Sequence, residues 1–296
     1  MKVLVTGATG YIGGSVAERL IASGHQVVGL ARSVESVPLL KNRGIESVVG
    51  NLDDPEIITK AAEETDAVIH AASADHAGAV VTLIAALERS GKTLICTTGS
   101  GIAADSAAGE YATSVVLTED SYFEPVPFRR PRVAMNRLVR EAAIDKGIRS
   151  IVICPSMIYG KGRGLQPDSD QLPKLIALSK QVGAGVYFGK GLNRYSNVHI
   201  DDLVDLYLLA LEKAPGGSFF FAENGDASFK EIAEMISRSL GLGKTVSLSV
   251  EDLARQHGDA ARYGVTSNSL VSAVNARRLG WSPKAPSLTE YFESLR

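Results

Sequence analysis

The chain has 296 residues, 45% of them hydrophobic and 22% charged, which is enough for one large core or for one core with a smaller appended lobe. Its 31 Lys and Arg against 33 Asp and Glu leave a net charge of −2, which argues against a nucleic-acid surface or a polybasic membrane patch. The two cysteines sit in apolar runs, the five histidines lack paired metal-ligand spacing, apolar runs are short and a strand begins by Val3; no disulfide framework, metal, membrane span or signal peptide is expected, and the location expected is cytoplasmic.

The run Val3-Leu4-Val5 leads straight into Thr6-Gly7-Ala8-Thr9-Gly10-Tyr11-Ile12-Gly13 and an amphipathic stretch to Ser23. Strand, glycine-rich turn and helix, in that order, form the first unit of a dinucleotide-binding fold. Gly7 permits the turn, Gly10 lets the backbone approach a pyrophosphate, and Gly13 lets the helix pack closely. First-turn amides at the positive end of the helix dipole would then hold the phosphates.

Further strands are expected at 26–31, 45–49, 67–71, 93–97 and 150–154. Helices are expected between them at 33–43, with Ser33 as N-cap, from Asp53-Asp54-Pro55 onward, and at 75–89 and 133–146. This alternation predicts an α/β fold with a doubly wound parallel sheet. The irregular stretch 99–127 leaves the C-terminal end of the fifth strand, where open α/β sheets bind ligands. Beyond Pro155 the pattern loosens into short strands near 186–188, 197–200 and 219–221 and helices near 173–181, 201–213, 228–240, 250–257, 275–279 and 287–295. Residues 1–161 are expected to form the nucleotide-binding domain, completed by 196–222, with 162–296 as a smaller substrate-binding lobe over the ligand edge.

The second strand ends Gly29-Leu30-Ala31-Arg32-Ser33. An acid there would bond the ribose hydroxyls of NAD and repel a 2′-phosphate. None is present, and the planar fork of Arg32 with the hydroxyl of Ser33 suits a phosphate, so NADP(H) is expected ahead of NAD(H).

The Gly-x-x-Gly-x-x-Gly spacing of the turn resembles the extended and atypical branches of the short-chain dehydrogenase/reductase superfamily. Two later segments extend the resemblance over the chain. Asn197-Val198-His199-Ile200-Asp201-Asp202-Leu203 is similar to the V-H-V-D-D segment of sugar-nucleotide epimerases and dehydratases. Asn275-Ala276-Arg277-Arg278-Leu279-Gly280-Trp281-Ser282-Pro283 is similar to their A-R-x-L-G-W-x-P segment. The resemblance implies a Rossmann sheet and cofactor contacts from Thr9, Tyr11 and Ile12 in the turn. It implies others from Asn51 and Leu52 at the adenine, from Ala71, Ala72 and Ser73 at the nicotinamide ribose, from Thr97, and from Pro155 and Met157 near the carboxamide.

Members usually place a Ser or Thr after the fifth strand and a Tyr-x-x-x-Lys motif on the next helix. Thr98 stands at the hydroxyl position, with Ser100 close by, but no Tyr-x-x-x-Lys occurs in the chain. In Arg132-Val133-Ala134-Met135-Asn136, Arg132 takes the place of the tyrosine and Asn136 that of the lysine. Asn136 can bond a ribose hydroxyl without supplying charge. Arg132 can stabilise a developing negative charge but cannot cycle a proton near neutral pH. Tyr111, Tyr122 and Tyr159 are candidate proton donors, Tyr159 foremost, while His199 and Asp202 read as a helix-start network. The resemblance implies an NADP(H)-dependent oxidoreductase reducing a carbonyl, enone or imine of a small organic substrate, with the homodimer left open. A sugar-nucleotide epimerase or dehydratase and a non-enzymatic NADP(H) redox sensor are the alternative readings.

Overall fold

In the computed structural model, which describes residues 1–295 apart from the side chains of 259–261, each expected strand–helix alternation forms. The elements run β1 (Lys2–Thr6), α1 (Tyr11–Ala22), β2 (Gln26–Ala31), α2 (Ser36–Lys41), β3 (Glu46–Val49), α3 (Pro55–Glu63), β4 (Ala67–His70), α4 (Ala77–Leu87) and β5 (Thr93–Thr97). After the long loop come α5 (Arg130–Asp145), β6 (Arg149–Pro155), β7 (Met157–Tyr159), α6 (Gln171–Val182), β8 (Gly185–Phe188) and β9 (Arg194–His199). The chain finishes with α7 (Ile200–Lys213), β10 (Ser218–Ala222), β11 (Asp226–Ser228), α8 (Phe229–Ser239), β12 (Thr245–Leu248), α9 (Val250–Arg262), α10 (Val274–Leu279) and α11 (Leu288–Ser294).

Seven strands form one parallel sheet in the order β10-β6-β5-β4-β1-β2-β3. Their sequences are nearly continuous in apolar residues because helices cover both faces. The order reverses between β1 and β4, so the turns leaving these two strands meet at one edge, the place where doubly wound sheets hold ligands. A second core, built on Met157, Tyr159, Leu172, Phe188, Phe229 and Ile236 among others, lies under a three-stranded sheet β11-β9-β7 and the pair β12-β8.

The C-terminal half is not confined to that second core. β10 extends the main sheet beside β6, and residues of α7 and α10, with Trp281, belong to the main core. Asp202 explains the tie. Its carboxylate accepts from the Lys284 amide at 2.7 Å and the Ala285 amide at 3.1 Å, and its carbonyl accepts from Trp281 Nε1 at 2.8 Å. The two late motifs are thus one hydrogen-bonded unit.

Two helix starts lie three residues from where they are expected. The helix placed at 33–43 shortens to α2, because Ser33 Oγ meets Ser36 Oγ at 3.3 Å and caps no amide. The helix placed at 133–146 begins three residues earlier, since Pro131 lies in its first turn, where a missing N–H costs nothing. Among the described residues no helix is long and apolar enough to cross a membrane.

Candidate active site

Gly7 leaves β1 with a φ of 78°, a conformation that a side chain resists, and a Cβ there would lie 2.8 Å from both the Ala71 carbonyl oxygen and Ala72 Cα. The Gly10 amide donates to the Gly7 carbonyl at 2.8 Å. A Cβ on Gly13 would fall on that same carbonyl, so α1 can start against the turn only as glycine. Gly10 is the N-cap of α1 and no side chain caps its first-turn amides. The cradle is therefore bare backbone, with donors at the positive end of a 12-residue helix.

His70, at the end of β4, fixes the neighbouring turn. Its Nδ1 lies 2.8 Å from Thr6 Oγ1 and its Nε2 3.0 Å from the Ser73 carbonyl. A carbonyl only accepts, so Nε2 carries the hydrogen and Nδ1 accepts from the threonine; burial lowers the ring's pKa in keeping with this neutral form.

Between these turns and the second core lies a cleft of about 440 Å³. Gly10, Tyr11, Ile12, Ala71 and Ala72 line one end; Thr98 to Gly101, Arg129, Arg132, Pro155, Ser156, Ile158 and Tyr195 line the rest, with Ser169 to Gln171 at its margin. Thr98 Oγ1 is buried without a hydrogen-bond partner among the described residues. Arg132 reaches across to Asp75 on the β4 side. Its Nε donates to Oδ1 at 2.8 Å and its Nη2 to Oδ2, a bidentate clamp that leaves Nη1 beside Gly99. Asn136 is one helical turn further along α5, buried, with its Nδ2 unpartnered, but it is not part of the cleft lining.

The segment after β7 pins the start of α1. Tyr11 Oη donates to the Gly160 carbonyl at 2.8 Å and also lies 3.2 Å from the Tyr159 carbonyl. The Arg163 amide donates to Ser15 Oγ at 3.0 Å, and a Cβ on Gly164 would lie 2.6 Å from Gly14 Cα. Burial raises the Tyr11 phenol, so it stays a neutral donor.

Other expected site residues are placed around this cleft. Arg32 is exposed at the end of β2 and has no hydrogen-bond or ion-pair partner among the described residues. Ser33 follows it, and Thr9 is half-buried in the turn outside the lining. Asn51 Oδ1 accepts from the Asp53 amide at 2.6 Å, so its amide oxygen already closes a local turn, and Leu52 packs against the main core. Ser73 Oγ lies 3.4 Å from the Asp75 amide. Thr97 Oγ1 is bonded to Tyr207 Oη at 2.6 Å inside the core.

Two expectations require correction. Tyr159 is fully buried, points into the second core and donates to the Pro286 carbonyl at 2.8 Å, so it cannot serve as the proton donor in the cleft. Met157 points the same way. The alternation of β7 presents Ile158 to the cleft and sends 157 and 159 behind it. Tyr111 and Tyr122 are exposed on the long loop, outside the cleft, and part of that loop borders a separate hollow with Asn268 and Leu270. The residues missed from sequence are Arg129 and Tyr195. The signal for the first was the cluster Arg129-Arg130-Pro131-Arg132 at a helix start, where the dipole disfavours cations.

Residues 3–220 match the NAD dependent epimerase/dehydratase family. The chain belongs to that family. With it stand the short-chain dehydrogenase/reductase relationship, the Rossmann sheet and an enzyme of NAD(P)-dependent oxidoreductase type. An uncharacterized protein of Saccharomyces cerevisiae is 33% identical over 98% of this chain and 97% of its own. The 2-alkyl-3-oxoalkanoate reductase of Stenotrophomonas maltophilia is 27% identical over 81% of this chain and 76% of its own. A dTDP-glucose 4,6-dehydratase from Streptomyces venezuelae, solved with NAD and TYD bound, superposes with a TM-score of 0.80 at 18% identity, covering 100% of this chain and 96% of that one.

Proposed function

We propose that this enzyme is an NADP(H)-dependent reductase of a carbonyl, enone or imine in a small organic substrate. The observation that carries the reading is one cleft joining a side-chain-free glycine turn to an unpartnered threonine hydroxyl and a positioned arginine. The bare cradle at Gly7, Gly10 and Gly13 fits a dinucleotide, as do the small residues Ala71 and Ala72 facing it. When bound, the cofactor supplies the hydride. The proton that completes the reduction comes from water in the cleft, and the chain's own groups hold the substrate and stabilise its charge. Thr98 donates a neutral hydrogen bond to the substrate oxygen, Arg132 Nη1 offers positive charge beside Gly99 where negative charge develops, and Asp75 holds that fork in place. Asn136 bonds the ribose, and Arg32 with Ser33 meets the 2′-phosphate.

The similarity to reductases such as the 3-oxoalkanoate enzyme supports reduction over epimerisation. Residues 1–161 with 196–222 are read as the nucleotide-binding unit and 162–296 as the substrate lobe, with the homodimer as the assembly to test by light scattering. The deciding experiment is NADPH oxidation over a panel of aldehydes, ketones, enones and imines. Turnover with at least one class is expected; NADPH binding without any turnover across the panel would overturn the reductase reading.

A further inference from the structure

Arg129 lines the cleft and forms no ion pair among the described residues. Arg129 sits immediately before α5, half-buried, with its guanidinium carbon 4.8 Å from the centroid of the Phe128 ring. Its hydrogen bond among the described residues is a long one, from Nη2 to the Tyr263 carbonyl at 3.4 Å, while its Nε is buried with no partner. A guanidinium carries five N–H donors, so most remain unanswered. The carboxylates nearest the cleft are engaged elsewhere: Asp75 clamps Arg132, and Asp170 pairs with Lys174 at 2.5 Å.

The charges near Arg129 are Arg132 and the Asp75 that clamps it. Burial and the like charge of Arg132 both act against its charged form. A guanidinium partly withdrawn from water and facing a second one is relieved by an anion. Room for it exists. Gly101 leaves its position bare, and a Cβ there would lie 3.3 Å from both Arg129 Nη2 and Tyr195 Oη. Tyr195 is only 3% exposed, yet it lines the cleft, so a phenol and a guanidinium edge converge on the space above Gly101.

We infer that Arg129, with Tyr195 and the bare Gly101, forms a subsite for a carboxylate carried by the substrate, so that the enzyme takes small oxo acids ahead of neutral carbonyl compounds. The inference rests on the reductase reading for its substrate and names the class. A carboxylate suits the place better than a phosphate. It is planar, and it matches the guanidinium fork.

The test compares wild type, Arg129→Gln and Arg129→Lys, each first titrated with NADPH to show an intact fold and cofactor site. Steady-state NADPH oxidation is measured with pyruvate, levulinate and acetoacetate and with the methyl ester of each. Calorimetry follows the same acids, and inorganic phosphate, binding to the protein–NADP+ complex. Wild type should favour acid over ester by about tenfold or more in kcat/KM, chiefly through KM. Arg129→Gln should bring that ratio close to one, and Arg129→Lys should restore part of it. Arg129-dependent acid binding in calorimetry would uphold the subsite even if no carbonyl were reduced, in which case the reductase reading alone fails. Equal treatment of acid and ester by wild type, an equal loss on both in Arg129→Gln, or tighter binding of phosphate than of any acid would overturn the inference.

Discussion

Replacing Gly10 with alanine separates the phosphate cradle from the fold. Gly10 has φ −85° and ψ 179°, extended backbone that any residue adopts, and its added Cβ would meet only the Gly7 carbonyl oxygen, at 3.2 Å. Alanine is a poorer N-cap than glycine, but it also loses less chain entropy on folding. The two effects are each below about 1 kcal/mol and oppose one another. The melting temperature of Gly10→Ala should therefore stay within about 3 °C of wild type. If phosphates rest on that backbone, the methyl group stands in their place, and NADPH affinity should fall more than about tenfold, or about 1.4 kcal/mol. Gly13→Ala should lose both, because its Cβ would also lie 2.7 Å from the Gly7 carbonyl carbon and force the turn to move, at about 1–3 kcal/mol. Gly24→Ala should do the reverse of Gly10→Ala: its φ of 83° strains an alanine, yet nothing lies within 4 Å and the cofactor site is remote. Differential scanning fluorimetry and NADPH fluorescence titration on the three variants are sufficient. Wild-type NADPH affinity in Gly10→Ala would refute the assignment of this turn to the pyrophosphate.

Arg132→Ala should lower turnover by about a hundredfold with little change in NADPH affinity, whereas Asn136→Ala should mainly weaken NADPH; unchanged turnover in Arg132→Ala on an established substrate would make the arginine scaffold. Arg32→Ala should remove most of the preference for NADPH over NADH, read from paired titrations, and equal affinities in wild type would end the case for a 2′-phosphate site. Burial lowers the pKa of both His70 and His199 from 6.5, so the unfolded chain takes up their protons first. Their stabilisation is fully present above pH 6.5 and is lost as pH falls from there through the folded values. Melting temperature should decline from pH 7.5 to 5.5, with a shallower slope in His70→Gln; an unchanged slope in that variant would contradict the neutral tautomer assigned to His70.

The sheet was legible because its strands are short, apolar and bounded by glycine or by Asp and Asn, so each carries its own local signal; β1 and the turn after it are the clearest case. The second core was legible only in fragments. Strands such as β11 and β12 have three or four residues and draw their stability from partners far away in sequence, which no local period records. Tyr159 and Met157 went astray for the same reason. Their segment was placed correctly beside the cleft, but which alternate residues faced it depended on β7 pairing with β9. Tyr195 gave no signal at all, since only the tertiary fold brings it over Gly101. Asp75 was equally silent as the partner of Arg132, 57 residues away.

The crossing of Gly164 over Gly14, locked by Tyr11 Oη, also bears on the order of events during turnover. With the start of α1 pinned to the segment after β7, the glycine turn and the rest of the cleft lining keep one arrangement at that side. The glycine turn forms one end of the cleft, and Arg129 and Tyr195 line the remainder. A cofactor is then expected to settle there before a substrate fills the remaining space, and to leave after the product. Steady-state kinetics should then be sequential and ordered, with the nucleotide first on and last off.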